Sequence, residues 1–310
     1  MIGVELLESH AVAVSIDDGG RVLARATAEH AASAGAAAEL ALDQIARGEA
    51  IDRSIGIASP NPTAPAVVAA ADALARRVRA SALPHAVCSS GTAAALAEAW
   101  VGAGRGVHDV VYFAVADHTT AGIVRGGAPV VGSRGRAGSV AWLSLNPVER
   151  EDYRKIGCLE AEAAAAGIVR RLIWRIKAGD RSRIQDVVND LSAITLDHVL
   201  EAARGGDGVS ISVVRDTAKY LGMAAANLVV VVDPDMLVLG GIMASAADLM
   251  LEPLRNEITR RLPRVMMDEL AIAPATLGGD AAAIGAARLA AAAPQDGAPT
   301  ARTVRGGVGE

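Results

Sequence analysis

The first hundred residues alternate between short β-prone apolar segments and longer segments whose apolar positions have helical spacing. Three strands come first, and the turn Asp17-Asp18-Gly19-Gly20 between the second and third is typical of a hairpin. Strands then alternate with Ala-rich helices, which predicts a mixed sheet with helices packed on it. The predicted strands are 2–6, 12–16, 21–27, 54–58 and 86–88, and the predicted helices are 30–47, 65–80 and 92–101.

The same order begins again after Gly102-Ala103-Gly104-Arg105-Gly106. Three strands precede a group of helices, and two strands and two helices follow. A repeated meander followed by alternation indicates a duplicated α/β unit, and a cleft between its two lobes is the expected ligand site. These strands are 110–115, 121–124, 129–131, 228–232 and 236–239, and the helices are 159–178, 182–190, 195–204, 210–227, 244–262 and 280–292.

The repeat also sets the expected domain boundaries. We predict an N-terminal lobe over 1–106 and a C-terminal lobe over 107–279, with the helix 280–292 packed back on the first lobe. Residues 293–310 are rich in Gly, Pro, Thr and Arg and have little apolar surface to bury, so we expect a disordered tail there.

Composition excludes several function classes. Apolar residues make up 52% of the chain and aromatic residues only 2%, so the chain lacks the aromatic platforms on which single-stranded nucleic acid stacks. The formal net charge is -5 and no long basic run is present, so we expect no nucleic-acid binding by this chain alone. Asn227, Asp233 and Asp235 interrupt the longest apolar run and the N-terminus has no signal-peptide pattern, which predicts a cytoplasmic protein without membrane contact.

The most specific sequence pattern lies between Leu196 and Met243 and includes Asp233-Pro234-Asp235-Met236-Leu237-Val238-Leu239-Gly240-Gly241. Together with the Ala-rich segment 93–100 and Gly157-Cys158-Leu159-Glu160, it resembles the ROK family of sugar kinases and sugar-responsive repressors. The resemblance implies a two-lobed, duplicated α/β fold of the actin/hexokinase-like (ribonuclease H-like) type with a central cleft. It also implies a homodimer or higher homo-oligomer.

The resemblance is weakest where ROK kinases carry out chemistry. In those enzymes an Asp before the Ala-rich helix takes the proton from the sugar hydroxyl that attacks ATP. The matching segment here is Cys88-Ser89-Ser90-Gly91-Thr92, which places Ser90 at the position of the base. A serine hydroxyl cannot accept that proton near neutral pH unless another base stands behind it, and His85 is the nearest candidate in the sequence.

Both segments that match the ATP phosphate loops of the family have lost their glycines. They read Glu5-Leu6-Leu7-Glu8-Ser9-His10 and Ala116-Asp117-His118-Thr119-Thr120. Side chains hinder the close approach of backbone amides to phosphates, and Glu8 and Asp117 add negative charge. Thr119, Thr120, Gly240 and Gly241 are the residues at the nucleotide-binding positions, and we expect nucleotide binding there to be degraded.

The zinc site of the family is also missing from the sequence. Its His and three Cys correspond to the segments Gly138-Ser139-Val140-Ala141-Trp142 and Arg154-Lys155-Ile156-Gly157-Cys158, in which Trp142 replaces the His and Cys158 alone remains. A single thiolate cannot complete a four-coordinate site, so we predict no zinc and no other cofactor. Glu160 keeps the position of a sugar-binding glutamate, and Ser139 replaces a second one.

Six of these positions have a structural alternative. Glu160 either binds a ligand hydroxyl or is an acidic residue placed near a helix N-terminus. Trp142 either stacks on a ligand or, as we favour, fills the space of the zinc site. Gly240 and Gly241 either contact nucleotide or form a strand-to-helix turn, which we also favour. Asp117 and His118 form either an acid/base pair or, as we favour, a solvated pair.

The sequence therefore favours a noncatalytic ROK protein that binds a sugar or sugar-derived molecule through Ser89, Ser90, Ser139, Trp142 and Glu160. One alternative is a sugar kinase with atypical loops, which would use Mg-ATP. Another is the effector-binding part of a ROK repressor, whose DNA-binding segment would precede the first strand.

Overall fold

The computed structural model describes residues 1–29, 33–46, 55–77 and 86–292 of the chain. The described residues group into two compact units. One is drawn from Met1–Tyr112, Gly122–Gly138 and Leu277–Glu310, and the other from Phe113–Ala121 and Ser139–Thr276. The lobe boundaries drawn from the sequence stay a prediction, and the predicted disordered tail lies outside the described residues.

The first sheet follows the predicted pattern, in which a meander of three strands precedes strands that alternate with helices. Its order is β3-β2-β1-β4-β5, with β2 antiparallel to β1 and β3, and β4 parallel to β1 and β5. The elements are β1 (Ile2–Leu6), β2 (His10–Ile16), β3 (Val22–Glu29), α1 (Ala34–Ala46), β4 (Ile55–Ser59), α2 (Pro65–Arg77), β5 (Ala86–Ser89) and α3 (Ser90–Val101).

The second sheet has the order β10-β9-β6-β7-β8, which equals that of the first sheet when it is read from β8. This agreement confirms the duplication expected from the sequence. The elements are β6 (Val110–Val115), β7 (Thr119–Arg125), β8 (Ala128–Pro129), α4 (Glu151–Ile156), α5 (Cys158–Ala163), α6 (Ala165–Lys177), α7 (Leu196–Arg204), α8 (Gly208–Val232), β9 (Met236–Gly241), α9 (Ile242–Ser245), α10 (Ala247–Thr259), α11 (Arg264–Glu269), β10 (Ala271–Pro274) and α12 (Ala281–Ala292).

Small residues build the core of the first unit. Alternate residues of β1 pack with α1 and α2 on one face of the sheet, and α12 packs on β1 and β4. A Cβ added at Gly3 or Gly56 would lie 1.8 Å from a carbonyl oxygen of α12, so backbone meets backbone at these positions. This close approach fits a chain whose aromatic content is only 2%.

Several predicted elements of the second half are wrong. The segment 228–232 is the last part of α8 and not a strand, and the helix ends where Asp233 adopts a φ of 52° before Pro234. Its Val-rich sequence favours a strand locally, but in the structure the segment continues the long helix α8, with Leu228 and Val229 buried and Val230 and Val231 exposed. The helix predicted at 159–178 breaks at the extended Ala164, and the one at 182–190 is a 3-10 turn, Arg183–Asp186.

The sequence analysis also missed elements that the structure contains. α4, α11 and β10 are short, and β10 pairs in parallel with β9 at the edge of the second sheet. Among the described helices, none combines the length and the apolar character that a membrane-spanning helix requires.

We expect Gly56→Ala to lower the free energy of unfolding by at least about 2 kcal/mol, because the new methyl group meets the backbone of α12. Gly208→Ala is the matched control, since nothing lies within 4 Å of its added Cβ. Urea denaturation measures both variants. Equal stabilities for the two variants would show that α12 is not held this closely.

Candidate functional site

The first group of candidate residues lies where the parallel strands β4 and β5 end at the same edge of the first sheet. Ser59 on β4 is in register with Ser89 on β5, and α3 starts at the next residue. Ser89 caps α3, because its Oγ accepts a hydrogen bond of 3.1 Å from the amide of Thr92. The carboxyl edge of parallel strands is a common ligand site in α/β folds.

Ser90, which the resemblance to the family places at the position of the catalytic base, is the first residue of α3. It is only 5% exposed, and its Oγ has no hydrogen-bond partner within the part of the chain that the structure describes. The sequence suggested His85 as a base behind it, but His85 lies outside the described residues. The described part of the chain therefore supplies no group that could make Ser90 a proton acceptor.

The turn at the first phosphate-loop position is a tight hairpin between β1 and β2. The amide of Leu7 donates to the carbonyl of His10 over 3.0 Å, and Glu8 and Ser9 are exposed. None of the residues 5–10 has a positive φ, so the turn does not adopt the backbone geometry that glycines favour. Beside it, desolvation and the charge of Glu5 raise the pKa of the Cys88 thiol to about 12.

In the segment that the resemblance matches to the second phosphate loop, the donors of Thr119 bind the carboxylate of Glu160. Glu160, in the first turn of α5, accepts hydrogen bonds from the amide and hydroxyl of Thr119 at 2.9 and 3.2 Å. Its other oxygen lies 3.1 Å from Nδ1 of His118. Because an ionised carboxylate can only accept, this contact requires a proton on Nδ1. In the sequence, Glu160 is 41 positions from Thr119 and 42 from His118, so the sequence alone could not pair these residues.

This arrangement changes the interpretation of two predicted residues. Asp117 is exposed, and His118 contacts Glu160, which the sequence analysis did not foresee. Glu160 makes these contacts through its side chain, so neither of the two roles considered from the sequence describes it fully. Thr119 is buried and Thr120 is half-buried on β7.

Trp142 is 57% exposed, so the prediction that its ring fills the space of a zinc site is wrong. It ends the 3-10 turn Val140–Trp142, which follows the exposed Ser139. Gly157 holds this turn close to α4, because a Cβ there would lie 2.1 Å from the carbonyl oxygen of Ala141. The tight backbone contact leaves the indole ring of Trp142 at the surface.

Gly241 supports the structural alternative for the glycine pair. It ends β9 with a φ of +61°, and an added Cβ would lie 1.9 Å from the carbonyl oxygen of Val115. A glycine is therefore needed by the turn itself, whether or not a nucleotide binds. Gly240 is buried within β9.

A buried cluster around Glu162 was missed by the sequence analysis. The carboxylate accepts hydrogen bonds from Arg150 at 3.0 Å, from Arg171 at 2.9 Å, and from the hydroxyl of Tyr153. Cys158 is buried against Tyr153 and Ala161 beside this cluster. Within the described ranges, no three His, Cys, Asp or Glu side chains are placed to hold a metal ion.

The pKa values in the cluster follow from its contacts. Burial raises the pKa of Glu162, but hydrogen bonds from Tyr153 and Arg171 outweigh this effect, so the pKa lies below its usual value. Burial and the hydrogen bond to Glu162 raise the pKa of Tyr153 from 10.0 to about 12. The cluster is therefore stable when Glu162 is ionised and Tyr153 is protonated.

We expect Glu160→Ala to lower the free energy of unfolding by about 1–3 kcal/mol, because the buried amide of Thr119 loses its acceptor. Glu160→Gln keeps an acceptor oxygen and should cost less. Asp117→Ala removes an exposed carboxylate nearby and should change stability by less than about 0.5 kcal/mol. Urea denaturation tests all three, and a Glu160→Ala variant as stable as Asp117→Ala would contradict the geometry.

The alkaline limit of stability should depend on Tyr153. Because folding raises its pKa from 10.0 to about 12, its contribution is complete below pH 10 and is lost as the pH rises through 12. Tyr153→Phe should therefore be less stable at neutral pH and should lose less stability over that window. Tyr220→Phe, which keeps the ring against Arg171, is the control and should follow the wild-type profile from pH 8 to 12 in thermal unfolding.

Comparisons with known proteins identify relatives of this chain. The glucokinase of Halalkalibacterium halodurans is 34% identical over 206 residues, which cover 66% of this chain and 62% of that protein. The xylose repressor of Caldicellulosiruptor bescii is 30% identical over 185 residues, 58% of this chain and 45% of the repressor. The chain thus spans less than two thirds of the length of these curated relatives.

A solved structure resembles nearly the whole chain. The ROK family glucokinase from Streptomyces griseus, in complex with glucose and AMPPNP, has a TM-score of 0.78 at 25% identity and covers 93% of this chain and 98% of its own. This likeness confirms the predicted duplicated α/β fold of the actin/hexokinase-like type. The ROK family profile matches residues 42–293, more than half of the sequence. By sequence and by fold, this chain belongs to the ROK family.

Proposed function

We propose that this ROK-family chain binds a sugar or a sugar-derived small molecule and does not phosphorylate it. The observation that carries the proposal is the state of Ser90. Its hydroxyl is buried and makes no hydrogen bond to any described residue, so no described base can draw a proton through it. Loss of a general base typically lowers the rate of a reaction by about 10²–10⁴.

The contacts of Glu160 support the same proposal from the phosphate side. Thr119 offers an amide and a hydroxyl, the kinds of donor that bind a phosphate oxygen, and Glu160 already occupies both. A phosphate placed there would meet a carboxylate. Two like unit charges 4 Å apart repel by about 1 kcal/mol in water and by about 4 kcal/mol at an effective dielectric of 20.

Similar proteins support a sugar as the ligand class. The Streptomyces griseus glucokinase was solved with glucose, and the matched relatives are named a glucokinase and a xylose repressor. In this chain the exposed ring of Trp142 offers an aromatic surface on which the apolar face of a ligand can pack. The proposal includes no zinc, because Cys158 is buried against Tyr153 and Ala161.

Two other functions are favoured by the relatives. The match to a glucokinase favours a kinase that uses Mg-ATP despite its altered loops. The match to a xylose repressor favours an effector-binding part of a transcriptional repressor, which would also bind its ligand without chemistry. The second function is a special case of the proposal, whereas the first contradicts it.

Release of ADP from Mg-ATP, measured over a panel of hexoses and pentoses, separates the kinase from the proposed function. We expect no sugar-dependent release above the background rate, together with a higher melting temperature in the presence of at least one sugar or sugar derivative. Turnover that falls in both Ser90→Ala and Glu160→Ala would overturn the proposal. Ser192→Ala, which removes an exposed hydroxyl, is the control.

A further inference from the structure

We propose that the first turn of α3 binds an oxyanionic group of the ligand, a phosphoryl or carboxylate group, through the hydroxyl of Ser90. The proposal rests on the ligand-binding function above and assigns the charge of the ligand. Its first observation is that Ser90 is more than nine-tenths buried while its Oγ lacks a partner among the described residues. Buried hydroxyls are nearly always hydrogen-bonded, so this one calls for a partner that the chain does not itself provide there.

The helix does not need Ser90 as a cap. Ser89 has that role, since its Oγ accepts from the amide of Thr92 and lies 2.7 Å from the hydroxyl of that residue. Both of those hydroxyls are thereby engaged. The hydroxyl of Ser90 is left over at the start of the helix, next to a cap that is already complete.

Ser90 also lies close to other features that can bind an anionic ligand. Helical side chains tilt towards the N-terminus of their helix, so Oγ of the first residue lies at that end. The amide of Gly91 has no acceptor within the helix, because it belongs to the first turn. α3 is 12 residues long, and its N-terminus carries the partial positive charge of the helix dipole.

Charge selects the chemical class of the ligand. The first turn of α3 contains no acidic residue, and the side chains from Ser89 to Thr92 are all neutral. Amides only donate, and a hydroxyl at the positive end of a helix is best used as a donor as well. A phosphoryl or carboxylate group, which offers only acceptor oxygens, matches these donors better than a neutral hydroxyl does.

Glu5 is the carboxylate that opposes such a ligand. It pairs with Ala58 on β4, which pairs with Cys88 on β5, so Glu5 stands two strands from the segment that leads to Ser90. Two strand spacings separate the backbones by about 10 Å. An anion at Ser90 is therefore repelled by Glu5 at a distance but is not in contact with it, which gives the proposal a second test.

Isothermal titration calorimetry on the full chain tests the proposal with four probes: glucose 6-phosphate, glucuronate, glucose and inorganic phosphate. We expect glucose 6-phosphate or glucuronate to bind more tightly than glucose. Ser90→Ala should weaken that anionic probe about tenfold or more, as expected for a hydrogen bond to a charged group. Ser90→Asp should abolish its binding, Glu5→Gln should strengthen it, and Ser192→Ala should leave it unchanged.

The melting temperature of the ligand-free protein provides a first readout that needs no probe. Ser90→Ala removes a buried hydroxyl without a partner, so the ligand-free variant should melt at a higher temperature than the wild type. The anionic probe should then raise the melting temperature of the wild type more than that of the variant. This result would separate a ligand contact from a structural role of Ser90.

The outcomes distinguish this proposal from the proposed function. Binding of glucose alone, or an anionic probe that Ser90→Ala binds as tightly as the wild type does, overturns the oxyanion site and leaves the ligand-binding function standing. Sugar-dependent ADP release overturns the function itself. Among positive outcomes, binding of glucose 6-phosphate indicates that the ligand carries a phosphoryl group, and binding of glucuronate indicates a carboxylate. Binding of inorganic phosphate alone indicates that the ligand is a free anion.

Discussion

A polar group removed from water needs a hydrogen-bond partner, and the candidate residues of the two units differ in whether they have one. The carboxylate of Glu160 is met by the amide and hydroxyl of Thr119 and by the ring of His118. The hydroxyl of Ser90 is met by no described residue. A polar group that has its hydrogen bonds helps to fix a loop, whereas under our proposals the hydroxyl without a partner hydrogen-bonds to a ligand. The proposals for function and for ligand charge both depend on this contrast.

The fold that carries these groups is built from small side chains. Gly3 and Gly56 bring the sheet of the first unit against the backbone of α12, and Gly241 brings β9 against the backbone of β6. Close backbone contacts leave little freedom for either partner to shift, because interiors are packed as densely as organic crystals. The loops that follow these strands are therefore attached to well-determined ends, which is what a binding site requires.

Membership of the ROK family is compatible with the proposed lack of phosphoryl transfer, because a fold and a site are separate properties. The two sheets of this chain share one strand order, and the chain as a whole has a TM-score of 0.78 to a ROK glucokinase. The resemblance places a neutral Ser90 where ROK kinases have an acid, and acidic side chains where they have bare amides. Under the proposals above, the same scaffold binds a ligand of a different charge and carries out no phosphoryl transfer.

The sequence by itself determined the order of most strands and helices in the first half, because period-two and helical spacing are local properties. It also identified the family, and it selected Ser90 and Glu160 as candidate site residues. Only the tertiary structure decided that residues 228–232 are helical, since they continue α8, which buries Leu228 and Val229 despite the strand preference of valine. It alone decided that Glu160 meets His118, 42 positions away, that Trp142 is exposed, and that Ser90 is buried without a partner among the described residues. These are contacts between distant segments, and no local pattern encodes the presence or absence of such a contact.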